Sequence, residues 1–259
     1  AINVEPIPAE GEESGEYVPS YMDSIGNAQF PSSYGGSDGR DGSGEYEIEA
    51  KEDTSGIDSL VYFTPEQLNV GYANNAGEYA YEHLTTDYRK VYNQIYLALI
   101  TMSSNIGLDC LDEEVINRIF NCVMMDHPEI FWYDGDVKYS FEQGSYKVSS
   151  VELTYNDLLD KSDIYAAGID QIRDRVLSDI EGLDIYAREK YIHDYLAYNV
   201  DYEENKHDQN IYSALIEGRS VCSGYSKAFQ YLCDNTTFDD DSIECYSVTG
   251  TMGGGTGAG

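Results

Sequence analysis

GRSVCSGYSKAFQYLC, residues Gly218–Cys233, is the stretch on which the reading of the fold turns. Gly218 ends the helical pattern Ile211–Glu217, because glycine accepts the left-handed backbone on which helices terminate. Ser220 is the expected N-cap of the next helix, which places Cys222 in its first turn. Ala228, Phe229, Tyr231 and Leu232 then recur at helical spacing and supply an apolar face. A thiol in a first turn faces unpaired backbone N–H groups and the positive end of the helix dipole. Both favour thiolate, the nucleophilic form of cysteine. On this reading Gly224 leaves room for a substrate backbone, and Ser223 and Tyr225 offer hydrogen bonds beside the sulfur. The competing reading is a buried cysteine serving as a small apolar side chain.

Upstream, the chain divides into three parts. Residues 1–56 are rich in Gly, Ser, Asp and Glu with few aliphatics. Such a composition cannot bury enough apolar area to offset ordering entropy, so an extended arm or linker is expected. Residues 57–155 carry helices and a hairpin. A short strand starts at Ile57–Tyr62. A long helix over Ala76–Met102 presents Leu84, Tyr88, Val91, Tyr92, Ile95 and Leu99 as one stripe. A second helix, capped by Asp112, runs to Asp126 and is closed by Pro128. Phe131–Tyr133 begin a strand, and Val137–Phe141 with Tyr146–Tyr155 form an antiparallel hairpin across Gln143-Gly144-Ser145. Residues 156–259 continue with a helix over Asn156–Ile180 and another from Asp184 to Asn199. The polar loop Glu203–Asp208, the cysteine helix and a strand over Ser242–Thr249 follow. The fold class is therefore α+β: packed helices, then a small antiparallel sheet against which the cysteine helix lies.

Composition removes several function classes. The 259 residues carry 48 acidic and 15 basic side chains, a net charge of −33. Phosphate backbones and anionic lipid surfaces are repelled by such a chain, so no nucleic acid partner is expected. No run approaches about 20 apolar residues, so no membrane insertion is expected. Cysteines stand at 110, 122, 222, 233 and 245, without a Cys-x-x-Cys pair. Sulfurs eleven residues apart on one helix, as at 222 and 233, lie about 16 Å from each other, too far for a disulfide. Mostly or wholly free thiols are expected. The four histidines have no paired spacing, so neither a metal nor any other cofactor is expected.

The run Val221-Cys222-Ser223-Gly224-Tyr225-Ser226-Lys227-Ala228 resembles the nucleophile motif of the transglutaminase-like superfamily, in its bacterial, clostridial-type branch. Asp126-His127-Pro128-Glu129-Ile130-Phe131-Trp132, Ile192-His193-Asp194-Tyr195-Leu196 and Val200-Asp201-Tyr202 fit the same branch. The resemblance covers roughly Thr64 to Gly259. It implies a papain-like core in which Cys222 attacks an amide carbonyl of a peptide or protein substrate. The acyl thioester then passes to water or to an amine. It implies a secreted or cell-surface protein, and it places a histidine and an aspartate after the strand that ends near Gly250. Those two lie past Gly259, so the front portion of a catalytic domain is expected, nearly inactive as it stands. The rival expectation is a non-catalytic surface module that keeps the fold.

Other candidates are weaker on their chemistry. His193 can serve as a general base upstream of its cysteine, since chain order is not fixed in such dyads, or it can be a supporting polar residue, as can Tyr202. His127 precedes the helix-closing proline and is expected to be structural, while His83 and His207 are expected at the surface. Asp239–Asp241 forms an acidic loop with calcium as an outside reading. Gly253–Gly259 resembles the glycine loop of tubulin-like GTPases, but no lysine or magnesium ligand accompanies it. The carboxylate pairs Glu113/Glu114, Asp170/Asp174 and Glu203/Glu204 are expected on solvated faces rather than as a glycosidase pair.

Overall fold

A carboxylate 46 residues away caps a single helical turn ahead of the first long helix. The computed structural model describes residues 60–236, 243 and 245–247. In it the stretch expected as one helix over Ala76–Met102 is interrupted. α1 (Pro65–Asn74) opens on a capping box, with the Gln67 N–H donating to Thr64 Oγ1 and the Thr64 N–H to Gln67 Oε1. α2 (Tyr79–Glu82) is a single turn, and α3 (Thr86–Ile100) follows. The Ala80 and Tyr81 N–H groups donate to the two oxygens of Asp126 at 2.8 and 2.9 Å, and Tyr92 donates its hydroxyl to the same carboxylate at 2.9 Å. Donors that a continuous helix would have turned inward are thus claimed by tertiary structure.

β1 (Asn105–Asp112) leads into α4 (Glu113–Asp126), and β2 (Val137–Phe141) and β3 (Lys147–Leu153) form the expected hairpin. The sheet is antiparallel in the order β1-β3-β2, with Ile106 opposite Val151 and Tyr139 opposite Val151 on the other side. β1 was not expected as a strand. Its pairing is broken by a bulge between Gly107 and Leu111, which blurs the two-residue alternation. Val61 adds an isolated parallel bridge to Ile106. Phe131–Tyr133, expected to start a strand, is a turn. Its backbone is taken by side chains: Asn156 Nδ2 donates to the Phe131 carbonyl at 2.9 Å, and Asn210 Nδ2 to the same oxygen at 3.3 Å.

The buried faces of the sheet and of α3 and α4 share one apolar core, in which Val91, Tyr92, Ile95, Leu99, Ile116, Ile119 and Val123 are sealed from solvent. α5 (Ser162–Asp179) and α6 (Ile185–Asn199) come next, the latter capped by Asp184, whose side chain accepts the Ala187 N–H at 2.9 Å. A two-residue parallel ladder joins β4 (Asp201–Tyr202) to β5 (Arg219–Ser220). Between them Ser213–Glu217 makes a π-type turn closed by Gly218 at φ 67°. α7 (Cys222–Asp234) packs on α6, on this π-turn and on β5. The three-stranded sheet thus sits in the first half of the described chain, and α7 does not lie against it as expected. This is a mixed helical and strand fold with a small antiparallel sheet. The expected arm 1–56, the acidic loop Asp239–Asp241 and the glycine tail fall outside the described residues. Of the strand expected over Ser242–Thr249, the described positions 243 and 245–247 belong to no sheet.

Candidate functional site

The start of α7 is built by a polar loop rather than by a side-chain cap. The N-cap residue is Val221, not Ser220, and no side chain caps the helix. Ser220 turns its hydroxyl to the Asp208 carbonyl at 2.6 Å, and the Val221 N–H reaches the same oxygen at 3.3 Å. Ser223 Oγ donates to the Gln209 carbonyl at 3.1 Å. The Tyr225 hydroxyl donates to the Val200 carbonyl, and its ring stacks on Tyr202 at 6.0 Å between centroids. Ser223 and Tyr225 therefore hold α7 to the 200–210 segment. Gly224 leaves no open room: a β-carbon there would lie 2.0 Å from Ser220 Oγ and 2.6 Å from the Asp208 carbonyl. The space expected for a substrate backbone is occupied by the chain's own loop.

Cys222 is the exposed one of the five cysteines, all of which are free thiols. No hydrogen bond joins it to a histidine among the described residues. His193 is open to solvent on α6, with Nδ1 3.0 Å from Asp194 Oδ1. Tyr202 is 71% exposed. Of the other histidines, His83 meets the Tyr79 carbonyl at the surface. His127 is buried, its ring nitrogens 2.7 Å from Asn75 Oδ1 and 2.9 Å from Glu129 Oε1, in keeping with a structural part.

His207 corrects an expectation. Placed at the surface by its polar neighbours, it is 8% exposed, with Nε2 3.2 Å from Asp157 Oδ1 and Nδ1 buried without a partner. Burial holds its imidazole below the usual histidine range, against the pull of Asp157 and Asp134. Burial also raises the Asp134 carboxyl and lowers the Lys227 ammonium, each opposed by the other's charge. Sequence reasoning missed this group because Glu203–Gln209 is uniformly polar, and nothing local marks one member as enclosed.

A cavity lies elsewhere. About 460 Å³ opens between the Asp126–Trp132 segment, α5 and the last turn of α7, with Ile169, Arg173, Tyr231 and Asp234 in its wall. Asp234 is twelve residues along α7 from Cys222, about 18 Å at the helical rise. Cys222 lines neither this cavity nor the one of about 390 Å³ beside Tyr72. The thiol is thus at one end of α7 and the cavity at the other.

The cavity rim is acidic. Crowding by the protein, then the charges of Glu78 and Glu129, push the Asp234 carboxyl up to about 7, although solvent still reaches the residue. Glu78 is raised too, by burial first and then by Asp126 and Glu129. A raised carboxyl costs stability when ionised, fully above its folded pKa. That cost is relieved as pH falls from about 7 toward the unfolded value near 4, where both states become protonated. Asp234→Asn is accordingly expected to be slightly more stable than the parent at pH 8, by less than about 1 kcal/mol once solvent screening is counted. The gain shrinks between pH 7 and 5. Urea melts at pH 8 and pH 5 read the difference; a parent more stable than the variant at pH 8 would contradict it.

Among the described residues no three His, Cys, Asp or Glu side chains are placed to hold a metal ion. No described helix is long and apolar enough to cross a membrane. Compared with known protein families and with curated proteins, the chain matches none.

Proposed function

We propose that Cys222 is the nucleophile of a transglutaminase-like enzyme, secreted or displayed at a cell surface, which acts on amide bonds of peptide or protein substrates. The observation that carries this reading is position: Cys222 is exposed in the first turn of a 13-residue helix whose leading N–H groups no side chain caps. Unclaimed N–H donors beside a sulfur are what an oxyanion forming on an attacked carbonyl requires. The thiolate would add to the amide carbonyl, expel the amine and leave a thioester that water or a second amine resolves. The papain-like arrangement of the core is part of the same proposal.

Exposure alone would also make Cys222 the fastest thiol to label, so the test compares it with itself. Iodoacetamide alkylation of Cys222 is expected to run several-fold faster in the folded protein than in the same chain unfolded in urea. Peptide mapping separates it from the other four cysteines. A folded-state rate equal to or below the unfolded one sinks the nucleophile reading.

The separation of cavity and thiol favours one alternative, a non-catalytic surface module whose binding site is the 460 Å³ cavity. The slow-labelling outcome supports that module.

A further inference from the structure

Cys233 and Cys245 come from opposite sides of an acidic stretch, and the fold brings their thiols into hydrogen-bond contact. Cys233 is buried in the last turn of α7, 1% exposed, whereas Cys245 is half-buried at the surface. Further contacts hold the two segments together. The Cys245 backbone N–H is hydrogen-bonded to the Asp234 carboxylate. Ser247 donates both its N–H and its hydroxyl to Gln230 Oε1, at 3.1 and 2.7 Å, one turn back along α7. Gln230 is itself anchored to the Met125 carbonyl at 2.8 Å, and Tyr246 stacks on Tyr79 at 3.8 Å. Two thiols on segments fastened together in this way can be joined without unfolding either segment.

We infer that Cys233 and Cys245 are a redox pair that closes into an intramolecular disulfide, fastening residues 245–247 to the last turn of α7. The chemistry assigns each sulfur a part. The hydrogen bond between them lowers the Cys245 thiol and raises that of Cys233, and Cys245 is also the accessible one. Cys245 thiolate therefore attacks an oxidised small-molecule disulfide such as oxidised glutathione, releasing one glutathione thiolate and forming a mixed disulfide. Cys233 then gives up its proton and attacks the Cys245 sulfur, releasing the second glutathione. The net change is two protein thiols and one oxidised glutathione to one protein disulfide and two reduced glutathiones. The Asp234 carboxylate held by the Cys245 N–H lines the cavity, so the bond would set the cavity's rim as well.

The test exposes the full chain to oxidised glutathione near pH 8 and follows intact mass and non-reduced peptide maps. Loss of two hydrogens, with one linked peptide joining Cys233 to Cys245, is the expected result, reversed by dithiothreitol. Closing a loop of this length is expected to raise the melting temperature by roughly 5–10 °C. Cys245→Ser is expected to abolish the link, while Cys233→Ser leaves Cys245 trapped as its glutathione adduct. The inference is overturned if the parent chain accumulates stable glutathione adducts at both positions. A linkage using Cys110, Cys122 or Cys222, or a mass loss that persists in Cys245→Ser, overturns it equally. Cys245→Ser removes a half-buried group and keeps the experiment decisive should the buried Cys233→Ser variant fail to fold.

Discussion

Asp126→Ala is expected to lower the stability of the folded unit by about 3 kcal/mol, the largest effect of any single truncation considered. Asp126 is 6% exposed and its two oxygens receive the Ala80 N–H, the Tyr81 N–H and the Tyr92 hydroxyl. Each such bond to a charged acceptor contributes about 1.5–3 kcal/mol, offset in part by the cost of burying the carboxylate. Truncation leaves three donors facing an empty space, with the Tyr92 hydroxyl wholly enclosed. Tyr92→Phe removes one bond and leaves Asp126 with its two backbone donors, so about 1 kcal/mol is expected there. The two variants together separate loss of the shared acceptor from loss of one donor, since Tyr92→Phe keeps the ring and removes only the hydroxyl. Denaturant melts of both decide the matter; an Asp126→Ala variant within 1 kcal/mol of the parent would show that α2 is held by other means.

The same carboxylate explains which parts of the fold were legible in the sequence. Between Glu78 and Met102 no glycine or proline interrupts the helical pattern, so the sequence reads as one helix. The start of α2 is capped from Asp126, and at the break itself, His83–Thr85, Arg89 takes the Glu82 and Leu84 carbonyls at 2.7 and 3.1 Å; no local rule can foresee the distant carboxylate. Elements whose ends are written locally were read closely: Asp184 caps α6 through its own side chain, and Gly218 stops the π-turn with its own positive φ. The hairpin of β2 and β3 likewise follows from its alternation and its turn. Failures cluster where a distant group takes over the backbone. Phe131–Tyr133 has strand composition, yet Asn156 and Asn210 claim the carbonyl a strand would have paired. His207 sits in a stretch of uniformly polar composition, and the groups that meet it, Asp157 and the Tyr212 ring, come from outside that stretch. At the candidate site, the first-turn position of Cys222 followed from Gly218 and the helical spacing after it. The position of the cavity did not, because its walls come from three separated segments.

Gly224→Ala is the second large effect expected, and it tests how α7 is mounted. In an isolated helix this change is favourable by about 1 kcal/mol, since alanine loses less backbone entropy. Here the added methyl would stand 2.0 Å from Ser220 Oγ, 2.6 Å from the Asp208 carbonyl and 3.0 Å from the Asn210 carbonyl. Ser220 can rotate away at the loss of its 2.6 Å bond, but the two carbonyls belong to the loop backbone and cannot. The first turn of α7 must then back away from the loop, giving up the contacts of Val221 with Asp208 and of Ser223 with Gln209. Overpacking of this kind costs about 1–3 kcal/mol, and the lost hydrogen bonds add to it, so a net destabilisation of about 2 kcal/mol is expected. Ser220→Ala is expected not to rescue the variant, because the Asp208 carbonyl still blocks the methyl. The displacement also moves Cys222, two residues away, so its alkylation rate is expected to fall toward the unfolded value in the same variant. A Gly224→Ala protein as stable as the parent would mean that helix propensity wins over the clash, and that the loop at Asp208–Asn210 yields rather than holds the turn on which Cys222 is carried.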